Sequence, residues 1–220
     1  MSTWISDIRG RMRMATTLVA MFFLSACMSE GGIGALGLLQ AESDKPEAIR
    51  ELPLYGGDVV VRAPNGYCVD TAHVTRRPAA TVAPLASCSS LTGEGYSPVQ
   101  PAFMTISVLS KRSRAEQPRA ADLAATFAPV EVTAVEDGDG VALVRVSDGG
   151  QSRLPEGDPR HWRGAMVING HLVGLAVYAP KGSDLTGPAG RRLLLTLAES
   201  LREASMEARP SQVSSRSLIE

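Results

Sequence analysis

Ala165-Met-Val-Ile-Asn-Gly-His-Leu-Val-Gly-Leu-Ala-Val-Tyr178 is the stretch that decides the fold. Two β-type runs meet at Asn169-Gly170, a pair that tolerates the positive φ demanded by a tight primed turn, so a β-hairpin is expected. Ten residues later the period changes. Pro188 suits a first helical turn, and Leu194, Leu197, Ala198 and Leu201 follow at i, i+3, i+4 and i+7, with Arg191, Arg192, Glu199 and Arg202 largely on the other side. That spacing predicts one amphipathic helix ending before Pro210. A helix with one apolar stripe needs a sheet face to cover, so the fold class expected is α+β: a single antiparallel β-sheet of several short strands packed by a C-terminal helix.

Working back from the hairpin, Val130 to Val135 and Val141 to Val146 flank Glu136-Asp-Gly-Asp-Gly140, a second hairpin signal. A short helical stretch precedes it at Ala120 to Phe127. Phe103-Met-Thr-Ile-Ser-Val-Leu109 alternates as a half-buried strand does. Thr81 to Cys88 reads as another strand, with Pro84 placing it at an edge or bulge. Asp58-Val-Val-Val-Arg62 runs into a turn at Pro64-Asn65-Gly66 and then Tyr67-Cys68-Val69. No repeat period is visible.

The first thirty residues have a different character. Arg9, Arg11 and Arg13 precede an apolar run from Met14 to Leu24, the layout of a signal peptide, with Met1, Met12 or Met14 as the start. The run is about half the ~20 residues a membrane-spanning helix needs. Leu24-Ser25-Ala26-Cys27 resembles the lipobox of bacterial lipoproteins. The resemblance implies cleavage of residues 1–26, diacylation of Cys27 and lipid anchoring to the cell envelope, at roughly 0.8 kcal/mol per buried methylene. Met28 after the cysteine, in place of Asp, resembles the pattern for onward transport to the outer membrane. A plain signal peptide with an unrelated cysteine is the alternative. Residues 27–51, with Gly31, Gly32, Gly34 and Gly37 and then mixed charges, read as a flexible tether. Residues 52–209 read as the globular domain and 210–220 as a disordered tail.

With Cys27 committed to lipid, Cys68 and Cys88 remain as an even pair in a chain bound for an oxidising compartment, and a disulfide is expected, free buried thiols being the alternative. Two cysteines without a nearby His pair supply no tetrahedral metal site, and they cannot hold an iron–sulfur cluster, so no metal or cofactor is expected. Asp137 and Asp139 lack the later ligands of a calcium loop and read as a solvated turn.

The 220 residues carry a formal net charge of −1, and without residues 1–26 the balance is 19 basic against 22 acidic residues. That gives no field to draw in nucleic acid, and aromatics at 5% offer little for base stacking. Phosphate-loop, dinucleotide and nucleophile-elbow signatures are absent. Thr71-Ala72-His73 resembles the histidine segment of trypsin-like proteases, and Gly164 to Gly174 the hairpin after their nucleophile. Where that family carries its serine, this chain has Arg160-His161-Trp162-Arg163-Gly164, with no hydroxyl to attack a carbonyl.

Two contact surfaces are candidates. Lys111, Arg112 and Arg114, with Arg119, cluster around Pro118 and could meet anionic headgroups or phosphorylated sugars; a solvated loop is the plainer account. Trp162 and Arg163 precede a strand with the composition of a binding surface, or with a half-buried tryptophan closing the sheet. Through the lipobox, Gly66-Tyr67-Cys68-Val69-Asp70, Cys88 and His161 to Gly164, the whole chain resembles small alphaproteobacterial envelope lipoproteins, which implies an address and no activity. Its element order is also similar to the PsbP and Mog1-like fold. The function expected is a non-enzymatic module in the cell envelope, facing the periplasm and anchored to the membrane through its lipid, binding an envelope protein or supporting an assembly. The alternative is an envelope hydrolase that would have to assemble His73, Asp70 and Ser87 or Ser89.

Overall fold

The computed structural model describes residues 48–93, 95–111 and 115–216, with side chains to Arg209. Residues 1–26, Cys27, the tether up to residue 47, Arg112 and Arg114 lie outside the described residues.

Among the described residues ten strands and three α-helices follow in order: β1 Glu51–Leu54, β2 Val59–Arg62, β3 Tyr67–Val69, β4 Thr75–Arg76, β5 Ala80–Ser87, α1 Cys88–Thr92, β6 Phe103–Leu109, α2 Ala120–Ala125, β7 Val132–Gly138, β8 Val141–Val146, β9 His161–Ile168, β10 His171–Tyr178 and α3 Pro188–Arg216. An antiparallel sheet runs β3-β5-β6-β10-β9-β8-β7, with β4 also beside β5. The chain is therefore mostly antiparallel sheet with a C-terminal helix, as the hairpin and apolar stripe predict. The sheet is not single, however: β1 and β2 pair only with each other.

Both expected hairpins form. Asn169 (φ 50°) and Gly170 (φ 84°) turn β9 into β10, while Asp139 (φ 50°) and Gly140 (φ 70°) turn β7 into β8. Period-two alternation then sends each strand's side chains to opposite faces. Met104, Ile106, Leu143, Met166 and Leu175 point to one face and meet Leu194, Leu197 and Leu201 of α3, all at most 2% exposed. Burying each leucine contributes roughly 1.5–3 kcal/mol. The helix comes this close because Gly164 has no side chain; a Cβ there would stand 2.8 Å from Leu194 Cδ2. Ser205 on α3 fastens the small sheet, accepting from Val60 N at 2.9 Å while donating to Leu201 O at 2.6 Å. On the opposite face, Ala120 with Leu123, Ala124 and Phe127 covers Ala142, Val144 and Val146 of β8, and Asp137 Oδ1 caps α2 by accepting from Ala120 N at 2.8 Å. That helix covers one end of the face and leaves its middle open.

Several expectations need correction. Strand pairing includes the last residues of the expected tether, since Ile49 bridges to Val69 and β1 starts at Glu51. The last helix continues through Pro210 to Arg216, where a tail was expected. A proline deletes one helical hydrogen bond and crowds the turn before it, which weakens a helix without forbidding its continuation. Pro84 occupies an interior strand, between β6 on one side and β3 and β4 on the other. Its carbonyl accepts from Asp70 N at 2.9 Å, so the missing N–H is on that side, where the chain leaves β3 for β4 and Asp70 O accepts from His73 N instead. His171, directly after the hairpin turn, is buried at 1% exposed, donating from Nδ1 to Leu109 O at 2.8 Å with its ring 4.6 Å from that of Tyr55.

Cys68 and Cys88 are joined by a disulfide, with Cα atoms 4.9 Å apart. It ties β3 to the start of α1, and Ser87 caps that helix by accepting from Ser90 N at 3.2 Å.

Candidate functional site

The open middle of the second face forms a cleft of about 580 Å³. Alternation decides what lines it. The residues between the core positions of β5, β6, β9 and β10 are Val82 and Pro84, Phe103, Thr105 and Ser107, Arg163, and Tyr178, and all of them face the cleft. The turn after β3 adds Asp70 and His73 at one rim, and the loop after β8 adds Ser152 and Arg153. The result is a floor of apolar and hydroxyl side chains with Arg153, Arg163 and the Asp70–His73 pair around it, the composition of a small-ligand or peptide site.

Arg163 is the most constrained of these groups. Its Nη1 donates to the Tyr178 hydroxyl at 2.6 Å, and its guanidinium lies over the Phe127 ring, 5.5 Å from the centroid. Among the described residues no carboxylate pairs with it. The Tyr178 ring is itself held, stacked on His161 at 5.0 Å. Burial lowers the pKa of His161, so its imidazole is kept neutral and packs as an aromatic plate.

At the rim, His73 Nδ1 lies 2.7 Å from Asp70 Oδ2, the orienting half of a general base. The serines expected to complete it are elsewhere. Ser87 and Ser89 belong to the start of α1, where Ser87 Oγ caps the helix and Ser89 Oγ is 3.5 Å from it. Ser152, which does line the cleft, donates its hydroxyl to Gly149 O at 2.7 Å. Among the described residues no hydroxyl hydrogen-bonds to the His73 ring.

The other expected positions separate. Trp162 is not a contact residue: it points to the helix-covered face, 4% exposed, and its Nε1 donates to Gly187 O at 2.9 Å. Arg163, its neighbour, points the other way, as a strand requires. Lys111 Nζ is drawn to Asp58 Oδ2 at 3.0 Å and holds the Asp58 carboxyl below its ordinary pKa, which leaves Lys111 half-committed inside the chain. Sequence reasoning missed Phe103, Thr105, Ser107, Arg153 and Tyr178. The alternation of β6 puts Thr105 and Ser107 on one face with Phe103, but does not show that the face stays uncovered.

Among the described residues no cluster of three or more His, Cys, Asp or Glu side chains could hold a metal ion, and no helix is long and apolar enough to cross a membrane. Comparison with protein-family models, with curated proteins and with solved structures gives no match to this chain.

Proposed function

We propose that this chain is an exported envelope lipoprotein, held to a membrane through lipid on Cys27, whose sheet-face cleft binds a partner without catalysing a reaction. The observation that carries the binding half is Arg163: a half-buried guanidinium, clamped between Phe127 and Tyr178, with no carboxylate paired to it among the described residues. A preorganised cation of this kind loses little freedom on binding and gains a charge-assisted hydrogen bond, so the fitting partner presents an anionic group beside an apolar body. An acidic or C-terminal segment of an envelope protein has that chemistry. The anchoring half rests on the Leu24-Ser25-Ala26-Cys27 motif, and the joined Cys68 and Cys88 support an oxidising compartment.

Fractionation with mass spectrometry tests the address: the protein is expected in membranes with an acylated Cys27 as its first residue, and Cys27→Ala is expected to release it. A soluble cytoplasmic chain with reduced thiols would refute it. For the cleft, a photo-crosslinking side chain placed at Thr105 is expected to capture an envelope protein in a manner abolished by Arg163→Gln. Capture unchanged by that substitution would overturn the role given to Arg163.

The 2.7 Å contact between His73 and Asp70 favours a second reading, a hydrolase. It requires labelling of a cleft serine, Ser107 or Ser152, by a fluorophosphonate; the binding reading predicts none.

A further inference from the structure

A second cavity, on the other side of the sheet at the start of α3, is lined by three arginines from three elements: Arg145 on β8, Arg160 just before β9, and Arg192 in the first turns of α3. We propose that it binds a phosphate-class anion, held between Arg145, Arg160 and Arg192.

The strongest observation is Arg145. Its Nε is shut off from solvent and has no hydrogen-bond partner, the one buried side-chain nitrogen or oxygen in that condition among the described residues. Nε is closed to the cavity as well, so a ligand would meet the outer nitrogens of the same guanidinium, and these also make no hydrogen bond or ion pair to the described residues. A part-buried charge with all its donors unengaged is unusual. The register explains how it comes there. Arg145 pairs opposite Trp162 on the face that α3 covers, where Val141 and Leu143 of the same strand enter the core. A guanidinium in that row has nowhere to go but beneath the end of the helix.

The other two arginines are differently prepared. Arg160 is fixed by Asp158, which accepts from Nε at 2.8 Å and from Nη2 at 2.9 Å, so its remaining N–H donors have a set direction. Arg192 is exposed and makes no ion pair or hydrogen bond to the described residues. The nearby acceptors are largely occupied. Ser183 Oγ accepts from Leu185 N, Thr186 Oγ1 donates to Ser183 O, and Gly187 O accepts from Trp162. Asp184 stands on the rim and pairs with none of the three arginines. Three arginines lining one space suit an oxyanion with several equivalent acceptors, and the positive end of the α3 dipole lies on the same side, although Gly187 O takes the N–H groups of Gly190 and Arg191. A planar carboxylate has two acceptor atoms for three forks; a phosphate has three or four. The ligand is a free phosphate or a phosphorylated lipid headgroup.

The full-length protein is titrated with inorganic phosphate and, at equal ionic strength, with sodium chloride, following its thermal midpoint. Phosphate is expected to raise the midpoint to a plateau that chloride does not reproduce. Arg192→Gln, an exposed substitution, is expected to weaken the apparent affinity at least tenfold, and Arg145→Met to abolish the shift. Should Arg145→Met fail to fold, Arg192→Gln decides alone. Arg163→Gln, in the sheet-face cleft, is expected to leave the shift intact. A shift equal in chloride, or one that survives Arg192→Gln, overturns the site, as does one lost only with Arg163→Gln. Soluble dihexanoylphosphatidate binding more tightly than inorganic phosphate assigns the lipid headgroup; equal binding assigns free phosphate.

Discussion

Gly190→Ala places two opposing effects in one atom. In a helix, alanine is preferred over glycine by about 1 kcal/mol, so propensity alone predicts a more stable protein. Gly190 is fully buried in the first turn of α3, where the chain has just left Leu185 and runs against Trp162. A Cβ built there falls on the Leu185 carbonyl oxygen, 2.8 Å from that carbonyl carbon and 2.9 Å from Trp162 Cδ1. Two of these three neighbours are backbone, and the tryptophan is pinned by its bond to Gly187 O, so no flexible side-chain end can move aside. Overpacking of a closed site costs typically 1–3 kcal/mol, and clashes with backbone fall at or above the upper end. The clash wins, with a net loss of about 2 kcal/mol or more. For a domain of this size that lowers the thermal midpoint by roughly 4–8 °C. Urea denaturation followed by tryptophan fluorescence measures it, with the exposed Glu199→Ala as a near-neutral control. A Gly190→Ala protein as stable as the wild type would refute the reasoning, because it would show α3 standing off from Leu185 and Trp162.

Three further outcomes are expected. Replacing both Cys68 and Cys88 with serine frees a loop spanning 20 residues and is expected to lower unfolding stability by about 3 kcal/mol, with reductant lowering the wild type alike and leaving the variant unchanged. Ser205→Ala leaves the buried Val60 N–H without its acceptor and is expected to cost about 1–3 kcal/mol; hydrogen exchange at Val60 no faster than in the wild type would contradict this. The Arg160 guanidinium holds the Asp158 carboxyl at about 2, below its ordinary 3.8, so the folded state favours the carboxylate. That contribution is complete above about pH 4 and is lost as the pH falls to about 2, so Asp158→Asn is expected to flatten the acid limb of the stability profile, and an unaltered limb would count against the ion pair.

What could be read from residues alone was local. Asn169-Gly170 and Asp139-Gly140 dictate their turns through backbone conformations few other pairs adopt, and the Leu194 to Leu201 stripe fixes which side of α3 is buried. What could not be read was which strands meet at a distance. β10 pairs with β6, more than sixty residues earlier, and nothing in Phe103–Leu109 specifies that partner. The cleft depends on the same unreadable choice. Alternation shows that Trp162 and Arg163 face opposite ways, but only the placement of α3 and α2 decides which is buried. Pro84 shows the converse limit: its lost donor matters only opposite a neighbouring strand, and here the neighbour has a gap.

Ile49 bridges to Val69, and Cys68 beside it is joined to Cys88. A pull on the chain ahead of Ala48 would therefore reach the fold at a strand already riveted to another segment. Tension delivered there meets the hydrogen bond from Val69 N to Ile49 O first, and once that gives way the covalent link still keeps β3 fastened to α1, as a cleat stays bolted to the deck when its line slips.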